Sequence, residues 1–558
     1  MVQQTETLEE ETGQGRSESP VQVGEDDGAT WKAGKQELII LSTMAALNVI
    51  LALDATVLVP ALPMLSRELD GTATETFWAG TSYLLANAVF IPFLGSVSDI
   101  LGRQSVLLFS VLMFTAGTIV CCTASGFTQL LVGRTIQGVG GGGLFTLSFI
   151  ITTDIIPLRK RPKYQSLIMA SFAIGTIFGP LTGGLVAEHS DWQWLFYINF
   201  PFCAIGLMVI PFAFRRLELK AKLSLSQSFR RIDWIGGITF MAGITGFLMG
   251  ITWGGVQYPW SAFQTWLPIL LGGLSIAISL LYQGLIAPFP LIRLRIFNNF
   301  SGVLVFILIL FFGFQLYAHL YYLPFYLSSV KAMKPSITGV FIMALSVIMV
   351  PLGVMTGIAI TRRGTYLWAI WLGFAFLVLE NGLLLYLDQN KNLAEHFFII
   401  MVVAVGDGFL MVSLSIATQA TTATRDAVSA VGMFTFLRQL GICIGVGVGG
   451  TVFNNFLLRS LEKRGFSDEV AHRIAENSEA FVASLIEMPD TSTEKAEITA
   501  AYVEGFRGIW YLLLAVAAVS LALSFLIRHH SIDKGLESSH ELQRHGRKSG
   551  REDGGRGE

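Results

Sequence analysis

The residues of this 558-residue chain best placed to do chemistry are ionisable side chains standing inside long apolar runs. Asp54 lies in LALDATVLVPALP (51–63) and Arg134 opens RTIQGVGGGG (134–143). An unpaired arginine at mid-membrane costs roughly 2.5–3.5 kcal/mol on insertion scales, so Arg134 needs an acid, carbonyls or water. A carboxylate that passes between apolar and cation-paired surroundings can load and release a proton, which makes Asp54 the candidate partner. His319, Glu380, Asp407 and Arg438 are other ionisable candidates inside such runs. Asp407, in VGDGF, is a candidate second proton site or a contact for a cationic compound, with simple pairing to Arg438 as the alternative. Asp54, Arg134 and Asp407 are thus the candidate proton-coupling residues.

These charges need a scaffold that crosses a membrane. Apolar residues make up 52% of the chain, charged residues 14%, and the mean hydropathy is +0.59, far from a soluble domain. Runs close to the ~20 residues needed for a ~30 Å core predict fourteen spans: 38–60, 77–97, 105–125, 128–151, 165–187, 194–214, 234–253, 264–287, 300–323, 338–360, 366–387, 394–417, 428–456 and 506–527. The expected fold is an all-α polytopic membrane protein. A formal net charge of −2 argues against nucleic acid as a partner. The four cysteines fall inside spans and read as small apolar residues, not as a disulfide frame or metal site. Residues 1–37 and 528–558 are polar and are expected to be disordered tails. Arg103, Arg159–Lys163, Arg215–Arg231, Arg293, Arg295, Arg362, Arg363 and Arg425 fall in alternate loops, which places both tails in the cytoplasm and 457–505 in a long external loop.

Glycine spacing adds an internal repeat. GTIFGPLTGG (175–184) sets Gly175, Gly179 and Gly183 four residues apart around Pro180, followed by Gly184. GICIGVGVGG (441–450) repeats that spacing eight spans later, and GSVSDILG (95–102) has its twin eight spans later in GIAITRRG (357–364). The agreement of the two offsets implies two related six-helix bundles, 38–214 and 300–527, with 215–299 contributing a loop, two inserted helices and a linker.

At the end of span 2, GSVSDILGRQ (95–104) offers a charge-and-turn latch through Gly95, Asp99, Gly102 and Arg103. It resembles the best-known signature of the major facilitator superfamily, although Gln104 replaces a second basic residue. RTIQGVGGGG resembles the second signature. LALDATVLVPALP and GTIFGPLTGG resemble motifs of the fourteen-span drug:proton antiporter branch, and further likenesses run from DIIPLRKRPKYQ (154–165) to FRGIW (506–510). The overall resemblance, over roughly 38–530, is to fungal toxin and multidrug efflux pumps. It implies proton-coupled export of small amphipathic organic compounds by alternating access between two bundles. The span-5 stripe Gly175, Gly179, Pro180, Gly183 and Gly184 is then expected at the interface between the halves, limiting leak. Gln137, Gln315, Tyr317, His319, Tyr321 and Tyr322 are candidate cavity residues.

No phosphate loop of the form G-x-x-x-x-G-K-[ST] occurs in the sequence, so ATP is not the expected direct energy source; the resemblance implies the proton gradient instead, and no cofactor, metal or enzymatic activity is expected. The expected partners are a small-molecule substrate, protons and lipid, in a monomer of the plasma membrane, with the vacuolar membrane as the alternative. Uptake of a siderophore-type metal chelate or another nutrient is the competing transport reading, and a transport-like receptor or sensor a more distant one.

Overall fold

A computed structural model of the protein describes residues 33–215, 217–219, 225–254, 258–389, 391–476, 478–489, 491–533 and 540–542. Most of the two expected disordered tails lies outside the described residues.

The long helices, in order, are α1 (Lys35–Thr56), α2 (Ala73–Leu101), α3 (Arg103–Cys122), α4 (Phe127–Ile155), α5 (Arg161–His189) and α6 (Phe200–Ala213). They are followed by α7 (Trp234–Trp253), α8 (Phe263–Leu285), α9 (Phe300–Val330), α10 (Pro335–Arg363), α11 (Leu367–Leu384), α12 (Leu393–Thr421), α13 (Ala427–Lys463) and α14 (Thr493–Ser524). Thirteen helices among the described residues are long and apolar enough to cross a membrane. The 29-residue α10 stands at the place of the tenth expected span and completes fourteen.

Local chemistry sets several ends. Thr72 and Glu75 form a reciprocal capping box at the start of α2, satisfying two otherwise orphaned backbone donors. Gly102 alone separates α2 from α3 and takes φ +90°, a conformation open to glycine. Its repeat partner Gly364 also takes a positive φ, +72°, at the end of α10, but as a left-handed cap with ψ 10° where Gly102 has ψ 148°, so the two turns differ in shape.

Packing carries the repeat further. Within the first bundle, α1 packs on α5 and α6, and α4 on α2 and α3; in the second, α9 packs on α13 and α14, and α12 on α10 and α11. Each pair recurs eight helices later. The bundles meet along two seams, α5 against α10 and α2 against α13, which exchange under the same relation. The inserted helices pack on each other, and α7 lies against both α2 and α13, covering that seam. Gly243 and Gly272 allow the α7–α8 approach: a Cβ on either would run into backbone of the other helix.

The glycine stripe of α5 departs from expectation. Added Cβ atoms at Gly175 and Gly183 would strike the carbonyl oxygens of Val49 and Val57, and one at Gly179 would strike the Thr56 hydroxyl. These three glycines therefore seat α5 on α1 within one bundle, while Pro180, between them, lies at the seam with the other half, close to Gly339 of α10. Gly441 and Gly445 do the same for α13 against the carbonyls of Leu310 and Phe314 on α9. Small residues go where two backbones come close, and in both bundles this internal pair is one such place.

The expected external loop 457–505 is largely helical. The end of α13, helices Asp468–Glu476 and Ser478–Glu487, and the start of α14 fill it. Ala471, Ile474, Val482 and Leu485 are buried along it, an apolar periodicity that the many charges obscure in the sequence. The first part of the C-terminal tail is also placed. Ile532 is fully buried, Asp533 meets Arg159 at 2.7 Å, and the Arg528 amide donates to Ser301 at 3.2 Å.

Candidate functional site

Asp54 lies near the end of α1 with its side chain wholly buried. Arg134 Nη1 donates to one carboxylate oxygen at 2.6 Å; Asn199 Nδ2 and Gln137 Nε2 donate to the other at 2.7 Å and 3.2 Å. Arg134 also donates to the carbonyls of Ala79 and Asp54, each at 3.3 Å, and its guanidinium lies 4.5 Å from the centre of the Tyr83 ring. Gln137 is held in turn, accepting from Arg134 at 3.0 Å and donating to Thr118 at 2.9 Å. One carboxylate thus ties α1 to α2, α3, α4 and the turn before α6. Buried and nearly saturated, it is a charge whose neutralisation would free Arg134, Gln137 and Asn199 at once.

The α5 stripe positions this acid. Pro180 cannot donate to the carbonyl of Thr176, four residues back. The Thr56 hydroxyl, two residues beyond Asp54, approaches that carbonyl at 3.5 Å and donates to the Ala52 carbonyl at 2.9 Å. Gly179 supplies the space for Thr56. Gly184 is buried on the same helix.

The latch forms at the other end of the first bundle. Arg103 is fully buried, with Asp99 at 2.5 Å, Asp154 at 2.8 Å and the Ser98 hydroxyl at 2.6 Å. Asp154, from the end of α4, is wholly buried, whereas Asp99 is 29% exposed. Gln104, in place of the second basic residue, reaches the end of α6 instead, donating to the Ile210 and Pro211 carbonyls at 3.4 and 3.1 Å. Gly95 has only ordinary contacts around the position of a Cβ, so close packing does not account for glycine there.

The cavity candidates scatter. Gln137 belongs to the Asp54 cluster. Tyr321 donates to Glu479 at 2.9 Å and Tyr322 to the Val446 carbonyl at 2.6 Å, so both are tied into the fold. Gln315 and His319 bond to Asn381 at 3.3 and 3.0 Å, and His319 Nδ1 lies 3.4 Å from the buried Glu380. Tyr317 is buried on α9. Asp407 is buried on α12 and takes no part in the Asp54 cluster; one of its oxygens has no hydrogen-bond partner among the described residues. A cavity of about 590 Å³ opens elsewhere, between α2, α13 and the segment after α8, beside Asp99, Arg293, Arg295 and Asp426.

Two residues of these clusters escape sequence reasoning. Asn199 lies in DWQWLFYINFP and Asp154 opens DIIPLRKRPKYQ, both stretches that carry the family likeness. The available signal is a polar residue flanked by apolar ones at a helix end, which names no partner.

The sequence matches the Major Facilitator Superfamily profile over residues 44–446. It is 38% identical to MFS transporter L2 of a Phoma species, over 86% of this chain and 80% of that one. It is 30% identical to the MFS-type efflux pump LUC4 of a Fusarium species, over 93% and 92%. It is 28% identical to the MFS-type transporter of the acurin A biosynthesis cluster of Aspergillus aculeatus, over 93% and 94%. Among solved structures, a bacterial homologue of the lysosomal transporter Spinster aligns with TM-score 0.53 at 16% identity, over 89% of this chain and 98% of that one. The human organic anion transporter MFSD10 aligns with TM-score 0.52 at 15%, over 87% and 100%.

Proposed function

The chain belongs to the Major Facilitator Superfamily, and from that premise we propose that this multi-pass membrane transporter is a proton-coupled exporter of small amphipathic organic compounds. The observation that carries the reading is the wholly buried Asp54 carboxylate held by Arg134, Asn199 and Gln137. A proton arriving at Asp54 cancels one charge of the pair, leaves Arg134 without its anion and loosens α1 from its neighbours in one step. That gives a two-state element biased by protonation, as coupling requires. Named relatives that are efflux pumps support the outward direction, and a proton moving inward supplies about 2.3 kcal/mol per 100 mV before the pH term. The plasma membrane is the proposed location.

Efflux from proteoliposomes tests the reading. Export of a compound that the wild type moves should rise with an imposed pH difference and collapse when it is dissipated. Asp54→Asn, which keeps the shape and removes the titration, should bind the compound yet lose the gradient-driven component. Gradient-independent flux in the wild type, or an unchanged response in Asp54→Asn, removes the mechanism.

A further inference from the structure

Arg438, on α13, is wholly buried, and none of its three guanidinium nitrogens has a hydrogen-bond partner among the described residues. Its guanidinium lies 5.3 Å from the ring centres of both Phe145 on α4 and Phe172 on α5. Those two residues belong to the opposite bundle, so the cation of one half is lodged against an aromatic corner of the other. Toward the start of α13, Thr435 meets Thr146 across the seam at 2.9 Å, and Phe434 packs on Phe149 with centres 5.8 Å apart. On the other side of Arg438, Cys443 meets the Leu84 carbonyl at 3.6 Å. Arg438 therefore sits where the two halves close on each other, between contacts that must part if either side opens.

A guanidinium carries five donors and a full charge, and ring faces compensate neither completely. Leaving such a group buried without an anion is strongly unfavourable. Asp407 on α12 and Tyr317 on α9 lie close enough to interact electrostatically with Arg438, yet Asp407 forms no ion pair with it within 4 Å among the described residues, and an Asp407 oxygen is itself unpartnered. The contrast with Arg134, which is fully engaged, separates a structural cation from one held in reserve.

From this geometry we infer that Arg438 with Phe145 and Phe172 forms the recognition site for an organic anion: an aromatic compound bearing a carboxylate or comparably acidic group. The acid would take the bidentate fork that no side chain fills, and its ring would pack in the aromatic corner. This rests on the transport reading and names the substrate class for it.

The test is binding to the purified full-length protein in detergent, read as a shift of thermal unfolding, with matched probes of one shape: 2-naphthoate, 2-naphthamide and 2-naphthylmethylammonium. Naphthoate should raise the midpoint in a saturable way at millimolar concentration, and the amide and ammonium should not. Arg438→Gln should need at least about ten times more naphthoate for the same shift, Arg438→Lys should be intermediate, and Phe172→Leu should weaken naphthoate more than octanoate. A wild type indifferent to naphthoate overturns the inference, as does one equally stabilised by the amide or ammonium; both results need only the wild type, so they hold even if the Arg438 variants fail to fold. Unchanged naphthoate binding in a folded Arg438→Gln protein overturns it as well. No gradient enters this measurement, so a failed proton dependence leaves it unaffected, and its own failure leaves the Asp54 mechanism standing.

Discussion

Which acid holds Arg103 can be decided by measurement. The motif in GSVSDILGRQ points to Asp99, one turn before Arg103 on the chain, and the structure adds Asp154 at 2.8 Å. Asp99 is 29% exposed, so water and salt screen its contact despite the short distance, and a pair of this kind contributes about 0.2–1 kcal/mol. Asp154 and Arg103 are both wholly buried, and removing one member of such a pair costs about 3–5 kcal/mol because the other is left charged and alone. A double-mutant cycle separates the two. With Arg103→Gln as the common arm, Asp154→Asn should show a coupling of about 2–3 kcal/mol or more, and Asp99→Asn about 1 kcal/mol or less. The assay is reversible unfolding of purified protein by SDS in mixed micelles, followed by tryptophan fluorescence. Asp154 also lies beside Arg161, which is anchored independently on the Ile156 and Thr153 carbonyls and Gln419, so the cycle isolates the Arg103 term. Equal couplings for the two acids, or a larger one for Asp99, would refute the reasoning from burial.

Three further outcomes follow from the packing. Gly179→Leu should lower folded yield and destabilise by about 1–3 kcal/mol through forced separation of α1 and α5, and transport by the surviving fraction should fall with it; wild-type transport in a stably folded variant would show that Thr56 and Asp54 do not depend on that contact. Gly102→Ala should cost about 1–3 kcal/mol in the same unfolding assay, since the one-residue turn demands φ +90°. A chain ending at residue 527 should lose thermal stability because Ile532, the Asp533–Arg159 contact and the strand His540–Leu542 paired with Leu217–Leu219 go with the tail, whereas one ending at 542 should keep it.

Much of the architecture was legible because a membrane punishes the alternatives. Apolar runs of about 20 residues are long enough to span, and in lipid their backbone groups must be satisfied within the segment; the glycine spacing repeated at a fixed offset falls on helix pairs that pack alike in both bundles. The Asp54–Arg134 pair was legible for the same reason: each charge is costly alone, and the two stood within one bundle. What the sequence hid were contacts between residues of which only one carries a warning. Asn199 is an ordinary amide until a carboxylate is found 2.7 Å away. Span-9 aromatics looked free to line a cavity because nothing in their spacing tells that Tyr321 reaches Glu479, more than 150 residues on. The glycine stripe was recognisable as a close approach, but spacing alone does not say which neighbour approaches.

The inserted pair makes the two seams unequal. α7 covers α2 against α13, gripping α13 through the Thr451 hydroxyl on the Gly254 carbonyl at 2.8 Å and the Phe240–Phe436 contact at 5.6 Å, while it touches α2 through apolar packing such as Trp234 on Phe93. Along α5 and α10, Phe178, Leu185, Val347 and Met355 remain open to lipid. Among the described residues the α5–α10 seam is therefore left without a helical cover, while the cavity beside Asp99 and Asp426 opens along the covered one. When the bundles tilt, the extra helices should ride with the second as a sliding shutter, its polar catch on one panel and a waxed edge running over the other.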